Sequence, residues 1–215
     1  MAHNLLKHIY YINLDHRTDR KEQIEAELIR MGLKGTRFPG TIYCATEPDR
    51  FNNKNIYNPN AIGCHISHLN LIKLARDKKL SNILILEDDF QFIVNKEELE
   101  FQITAFNNLN IEYNVVFLGY NVKESEPFND LISYGRSVQT ASGYVVNQNF
   151  YDILIENLET NLEQHIRTQQ SWAYCSDQCW KSLQKEHNFF YFNTRIGQQR
   201  MSYSDIENAV VCYGV

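Results

Sequence analysis

The sequence predicts an α/β protein whose central sheet is mainly parallel. Three observations carry that expectation. Short apolar runs rich in β-branched and aromatic residues alternate along the chain with segments whose apolar residues recur at helical spacing. One run, Ile83-Leu84-Ile85-Leu86, is continuously apolar, as a strand covered on both faces requires. With 43% hydrophobic and 22% charged residues, the 215 residues suit a single domain, 1–215, built around one buried core.

The elements follow in order. His8 to Leu14 (HIYYINL) reads as the first strand, with Asp15 to Asp19 as its polar exit. Asp19 and Glu22 have the spacing of a capping box, and Ile24, Leu28 and Met31 continue as a helix that stops at Gly32. Residues 33–60, with Pro39-Gly40 and an asparagine-rich stretch from Asn52 to Asn60, read as turns with one short strand. Helical periodicity returns from Asn60 to about Lys78 through Ile62, Ile66, Leu69, Ile72 and Ala75. The apolar strand after Ser81-Asn82 ends abruptly in Glu87-Asp88-Asp89. A helix over Glu97 to Phe106 and a strand over Asn114 to Leu118 come next. Gly119 to Val138 is long and polar and reads as a loop able to cover a site. A strand at Ala141 to Val146, a helix through Tyr151, Leu154, Ile155 and Leu158, and a helix over Ser176 to Lys185 follow. The chain then runs through a strand at Phe189 to Phe192 into polar turns.

Composition narrows the function. Lys and Arg number 21 against 26 Asp and Glu, a net charge of -5 that argues against nucleic acid as a partner. No 18 consecutive residues are apolar, so no membrane span is expected, and no secretory leader is evident; the expected location is cytoplasmic. Five cysteines, an odd number, do not read as a disulfide scaffold, and neither Cys175/Cys179 nor Cys64 with His65 and His68 has a standard zinc spacing. Neither a GxxxxGK[ST] loop nor a G-x-G-x-x-G fingerprint is present.

Chemistry concentrates at Glu87-Asp88-Asp89. Alternation along an extended chain would put Glu87 and Asp89 on one side and Asp88 on the other, at the strand end where open α/β sheets bind ligands. Hard divalent cations take oxygen ligands of this kind; a solvated acidic turn is the plainer alternative. Arg17 and Arg20 can offer charge-assisted donors to a phosphate, or act as solvated charges. Asp177 reads either as a helix cap or as a functional acid, with Trp180 beside it as a sugar-facing platform. His65 and His68 share a helix face, where a satisfied core histidine is the commoner outcome, and Cys64 reads as a small buried residue.

The ordered set resembles the family 25 glycosyltransferases. It comprises Ile12-Asn13-Leu14 with Arg17 and Asp19-Arg20, Gly63-Cys64-His65-Ile66-Ser67-His68, Leu86-Glu87-Asp88-Asp89, Val116-Phe117-Leu118-Gly119, Thr140 to Val146, Asp177, Gln198 and Ser202 to Ile206. The resemblance implies a GT-A type nucleotide-sugar fold. In it a divalent ion, manganese or another, bridges the donor diphosphate and the acidic motif. Glu87 and Asp89 fall on the metal-binding positions. Asn13, Arg17, Arg20 and Asp88 fall on the donor-binding side, and Asp177 falls on a later acid acting as base or metal ligand. The implied reaction moves a hexose, galactose from UDP-galactose, with inversion onto a glycan, glycolipid or glycoprotein hydroxyl. A metal-dependent phosphoesterase and an inactive glycan-binding or scaffold protein are the competing readings.

Overall fold

The computed structural model describes residues 4–44, 58–204, 206 and 209–212. Residues 45–57, which hold much of the asparagine-rich loop, and Asp205 of the Ser202 to Ile206 segment lie outside them. Strand β1 (Ile9–Asn13) leads into helix α1 (Thr18–Arg30) and the short β2 (Thr36–Pro39). Helix α2 (Pro59–Asp77) precedes β3 (Asn82–Glu87), β4 (Phe90–Phe92) and α3 (Lys96–Leu109). Then come β5 (Val115–Pro127), β6 (Ile132–Asn147), α4 (Tyr151–Thr168), two four-residue helices α5 (Ser171–Tyr174) and α6 (Ser176–Cys179), and a 3-10 segment at Trp180–Lys185. Strands β7 (Phe189–Phe192), β8 (Gly197–Gln199), β9 (Ser202–Ser204) and β10 (Ala209–Val211) close the described chain.

Six strands form the central sheet in the order β2-β1-β3-β6-β5-β7. β1 runs parallel to β2 and β3, β6 is antiparallel to both β3 and β5, and β7 is parallel to β5. The sheet is therefore mixed, which corrects the expectation of a mainly parallel one. The cause is the segment read as a long loop: residues 119–138 belong to the two arms and the turn of a β5–β6 hairpin. Asn129 Oδ1 accepts from the backbone N–H groups of Leu131 and Ile132 at 2.9 Å each, closing the turn. A turn this short joins antiparallel strands, since a parallel pair needs a crossover. Register shifts along the hairpin and its exposed polar end hid the period-2 pattern.

Both faces of the sheet are covered. Along β3, Leu84 and Leu86 join a cluster with Ile24 and Leu28 of α1 and Leu99, Ile103 and Phe106 of α3. Ile83 and Ile85 face the other way, into a cluster with Leu69, Ile72 and Ala75 of α2 and Leu154, Ile155 and Leu158 of α4. Trp180 belongs to this second cluster: it is 1% exposed, its ring meets Phe117 and Tyr144, and its indole N–H donates to Val138 O at 3.2 Å. The expected sugar-facing role does not fit a ring sealed in the core. Trp180→Ala should cost about 3–5 kcal/mol in a urea titration; an unchanged midpoint would contradict its place in the core.

Two helix starts differ in their fit to the sequence signals. At α2, Asn58 Oδ1 accepts from Ala61 N at 3.1 Å and Pro59 occupies the first turn. At α1 the expected capping box does not form, because helix geometry begins at Thr18, one residue before Asp19, and Asp19 pairs instead with Arg17 at 3.1 Å. Gly63 lets α2 lie against the loop after β2, since a Cβ there would come within 2.4 Å of Thr41 O.

Candidate active site

The carboxyl ends of the parallel strands β1 and β3 open onto a cavity of about 360 Å³. Asn13, Arg17, Arg20, Glu87, Asp88 and Asp89 all line it. The structure thus brings together every sequence-predicted site residue except Asp177. β3 ends at Glu87 and the chain turns, so side-chain alternation stops there. As a result Asp88 and Asp89 share one arginine, whereas Glu87 faces another set of partners. Phe90 anchors the turn against glycine backbone: a Cβ on Gly197 would lie 2.0 Å from its ring.

Arg20 is the hub of the acidic turn. Its Nη1 lies 2.9 Å from Asp88 Oδ1 and 3.1 Å from Asp89 Oδ2, and its Nη2 donates to Ser202 Oγ and Tyr203 O. Asn13 Nδ2 donates to Asp88 Oδ2 at 2.8 Å, and Arg37 Nε in turn donates to Asn13 Oδ1 at 2.9 Å. Gln199 Nε2 donates to Asp89 Oδ2 at 3.1 Å. Arg17 lines the cavity, and its guanidinium pairs with Asp19.

Glu87 contacts α2. Its Oε1 lies 3.2 Å from His68 Nε2 and accepts from the Cys64 thiol at 3.7 Å, while His68 Nδ1 lies 2.8 Å from the Tyr144 hydroxyl. Burial pushes Glu87 toward the neutral form, but the His68 hydrogen bond and charge, with Arg20 and Cys64, hold its pKa below the usual carboxylate value. Burial and the Glu87 charge together push Asp89 up to about 7 despite Arg20, and burial also raises Asp88. Burial, with Glu87 next, pushes the Cys64 thiol well above its ordinary value. Three adjacent acids with one bridging guanidinium are short of positive charge.

The donor set can be tested against a divalent cation. Asp89 Oδ1 is buried and has no hydrogen-bond partner, and it belongs to the oxygen-rich set that hard cations take. Cys64 Sγ, His68 Nε2 and a Glu87 oxygen also lie within 4.8 Å of one another, with Tyr144 fixing the outer nitrogen of the imidazole. The residues therefore fit a cation on either side of Glu87. Helical spacing suggested a shared face for His65 and His68 and a small buried residue at Cys64, but the meeting of Cys64 and His68 with Glu87 is a long-range contact that helical spacing does not reveal.

A second cavity of about 410 Å³ adjoins the first, and Cys64, Glu87 and Gln199 line both. Asp177 lines this second cavity. Cys175 is the N-cap of α6 and Asp177 stands within its first turn, so the cap reading does not hold. Its Oδ2 accepts from Thr140 N at 3.0 Å and its Oδ1 from the Cys175 thiol at 2.9 Å. Thr140 has φ of +86°, a strained setting for a β-branched residue, and Asp177 holds it. The wall behind contains a buried histidine pair, His65 and His165, with ring centroids 5.8 Å apart and His165 Nε2 2.9 Å from Ser171 Oγ.

Burial, with the neighbouring histidines next, lowers His65 to about 3, and burial lowers His165 to about 4. Both folded values lie below the unfolded value of 6.5, so the unfolded chain takes up protons first. The stability they contribute is present above about pH 6.5 and is lost as pH falls, by up to about 1.4 kcal/mol per pH unit for each histidine. Asp89, whose folded value is raised, acts in the opposite direction. His165→Gln should therefore make the acid limb of stability shallower in urea titrations from pH 7 to 5; an unchanged slope would contradict the pair's neutral burial.

A family model described as glycosyltransferase family 25 (LPS biosynthesis protein) matches residues 6–169, about three quarters of the chain. The chain belongs to this family. A glycosyltransferase 25 family member of Drosophila pseudoobscura pseudoobscura is 29% identical over 167 residues, covering 66% of this chain and 26% of the relative. The procollagen lysyl hydroxylase and glycosyltransferase of Acanthamoeba polyphaga mimivirus is 28% identical over 149 residues, 59% of this chain and 16% of that protein. The matched part is thus about a quarter or less of these relatives' length. Among solved structures, a glycosyltransferase involved in the glycosylation of the major capsid of PBCV-1 aligns over 86% of this chain and 91% of its own, at 13% identity and a TM-score of 0.39. The family match takes in both acid-bearing β3 and α2, and Asp177 lies beyond it. No helix among the described residues is long and apolar enough to cross a membrane.

Proposed function

We propose that this family 25 chain is a metal-dependent glycosyltransferase of GT-A type. In this reading it moves a hexose, galactose from UDP-galactose, with inversion onto a hydroxyl of a glycan, glycolipid or glycoprotein. The observation that supports it is the joined pair of cavities, with the acidic turn and Arg20 in one and Asp177 in the other. Glu87 and Asp89 would hold the cation, manganese or another divalent ion, which supplies charge neutralisation for the departing diphosphate. Arg17, Arg20, Asn13 and Asp88 would orient the donor, Arg20 leaving its carboxylates for phosphate oxygens. Asp177, acceptor-only when ionised, would take the proton of the incoming hydroxyl on the far side of the shared wall.

The test is an array of nucleotide sugars against glycan, glycolipid and hydroxylysine-peptide acceptors, read by intact product mass. A hexose added only in the presence of both UDP-sugar and divalent cation supports the reading. Release of phosphate from a phosphoester with no sugar transferred would establish the phosphoesterase instead.

A further inference from the structure

The second cavity carries an aromatic ring that the donor chemistry does not use. Trp172, on α5, is 77% exposed and lines this cavity. An indole face left open to water beside an acid is unusual for a group that contributes most when buried. Its base is nevertheless fixed: the neighbouring Ser171 hydroxyl meets buried His165, and Cys175 N donates to Ser171 O at 3.1 Å. The backbone that carries the ring is thus anchored.

The remaining lining explains what such a ring would face. Asn58, Asn121, Gln139 and Gln178 bring side-chain amides to the same cavity, and Asp177 and Glu87 bring carboxylates. Lys181 Nζ donates to the Oε1 atoms of Gln139 and Gln178, at 2.7 and 2.5 Å. An ammonium can only donate, so it fixes both amide oxygens toward itself and leaves the Nε2 groups as donors, one hydrogen of Gln178 Nε2 going to Asp177 Oδ2 at 3.4 Å. None of the described residues lining this cavity is lysine or arginine. Amide donors, a carboxylate acceptor and one aromatic face suit a polyhydroxylated ring with an apolar C–H face, and the two carboxylates disfavour an anionic one.

We propose that Trp172 is the stacking platform for the acceptor, and that the acceptor group seated there is an uncharged pyranose. The inference rests on the transferase reading, in which this cavity is the acceptor side. Gln139 and Gln178 then hydrogen-bond ring hydroxyls, and Asp177 reaches the one to be glycosylated.

The chain has two tryptophans, and Trp180 is buried, so a change in the long-wavelength emission reports on Trp172. The experiment titrates the full chain, with UDP and manganese present, against methyl β-glucoside, methyl β-galactoside and methyl N-acetyl-β-glucosaminide. Methyl β-glucuronide and lysine amide are run alongside, and UDP binding is followed separately by calorimetry. A saturable blue shift with a neutral glycoside is expected. It should vanish in Trp172→Ala and persist in Trp180→Phe. In transfer assays Trp172→Ala should raise the acceptor KM by about 5- to 10-fold with donor affinity unchanged, and Trp172→Tyr should recover most of it. Normal UDP binding with no shift from any neutral glycoside overturns the platform while leaving the transferase reading intact. A shift from the glucuronide or lysine amide alone overturns the uncharged class, and a shift that survives Trp172→Ala overturns the assignment to this ring. Absence of UDP binding itself would instead remove the transferase reading on which the proposal stands.

Discussion

Asp177→Asn is expected to leave UDP and manganese binding nearly intact and to reduce transfer by about 10²-fold or more. The geometry favours a clean result. An asparagine oxygen in the Oδ2 position can still accept from Thr140 N, the contact that holds the strained Thr140 backbone, while its NH2 replaces the oxygen that accepted from the Cys175 thiol. What the substitution removes is the negative charge and the basicity facing the second cavity. Single-turnover transfer, donor calorimetry and thermal unfolding on the same preparation separate the alternatives. A fall in donor affinity alongside turnover would make Asp177 a metal ligand. Near-normal transfer would reject both functional roles, and a loss confined to stability would leave only its contact with Thr140.

Arg20→Ala should be the most destabilising change at the site, by about 3–5 kcal/mol near neutral pH, because it leaves Asp88 and Asp89 buried without their shared cation. The loss should depend on pH in a defined direction. Asp89 already has a folded pKa of about 7, raised by burial and by Glu87, against 3.8 unfolded. Its unfavourable ionisation grows as pH rises from about 4 through 7, and removing Arg20 extends that effect to higher pH. The deficit relative to wild type should accordingly be largest above pH 7 and shrink toward pH 5, where the acids protonate. Manganese should restore part of it, by binding the freed carboxylates of the folded state. Urea titrations at pH 5, 7 and 8 measure the deficit; an equal loss at all three would mean that Arg20 acts through packing alone.

Much of the first cavity could be read from local sequence because the acids follow an unbroken apolar strand. Ile83 to Leu86 had to be buried on both sides, and the only place for three charges after it was the sheet end. Where the side chains point from there was not legible, since the turn at Asp88 and Asp89 ends the alternation that an extended chain would impose. Arg37, which orients Asn13, and His68, which orients Glu87, act through long-range contacts that leave no periodic trace. The hairpin from Val115 to Asn147 was hidden by register shifts and an exposed polar end, and with it went the antiparallel half of the sheet. The burial of Trp180, expected to face a sugar, was not legible for a similar reason. Trp180 follows the acid in sequence yet packs under Tyr144, whereas Trp172 reaches the cavity from a four-residue helix too short to show any pattern.

The central claim is that the acidic turn forms a cation-dependent site for a nucleoside diphosphate. Calorimetric titration of UDP into the full chain, first with manganese and then after complete chelation, tests it most directly. Saturable binding that requires manganese, and that weakens by about 10-fold or more in Asp89→Asn, is the predicted result. UDP affinity that is the same with and without the cation, or no measurable UDP binding in either condition, would contradict it.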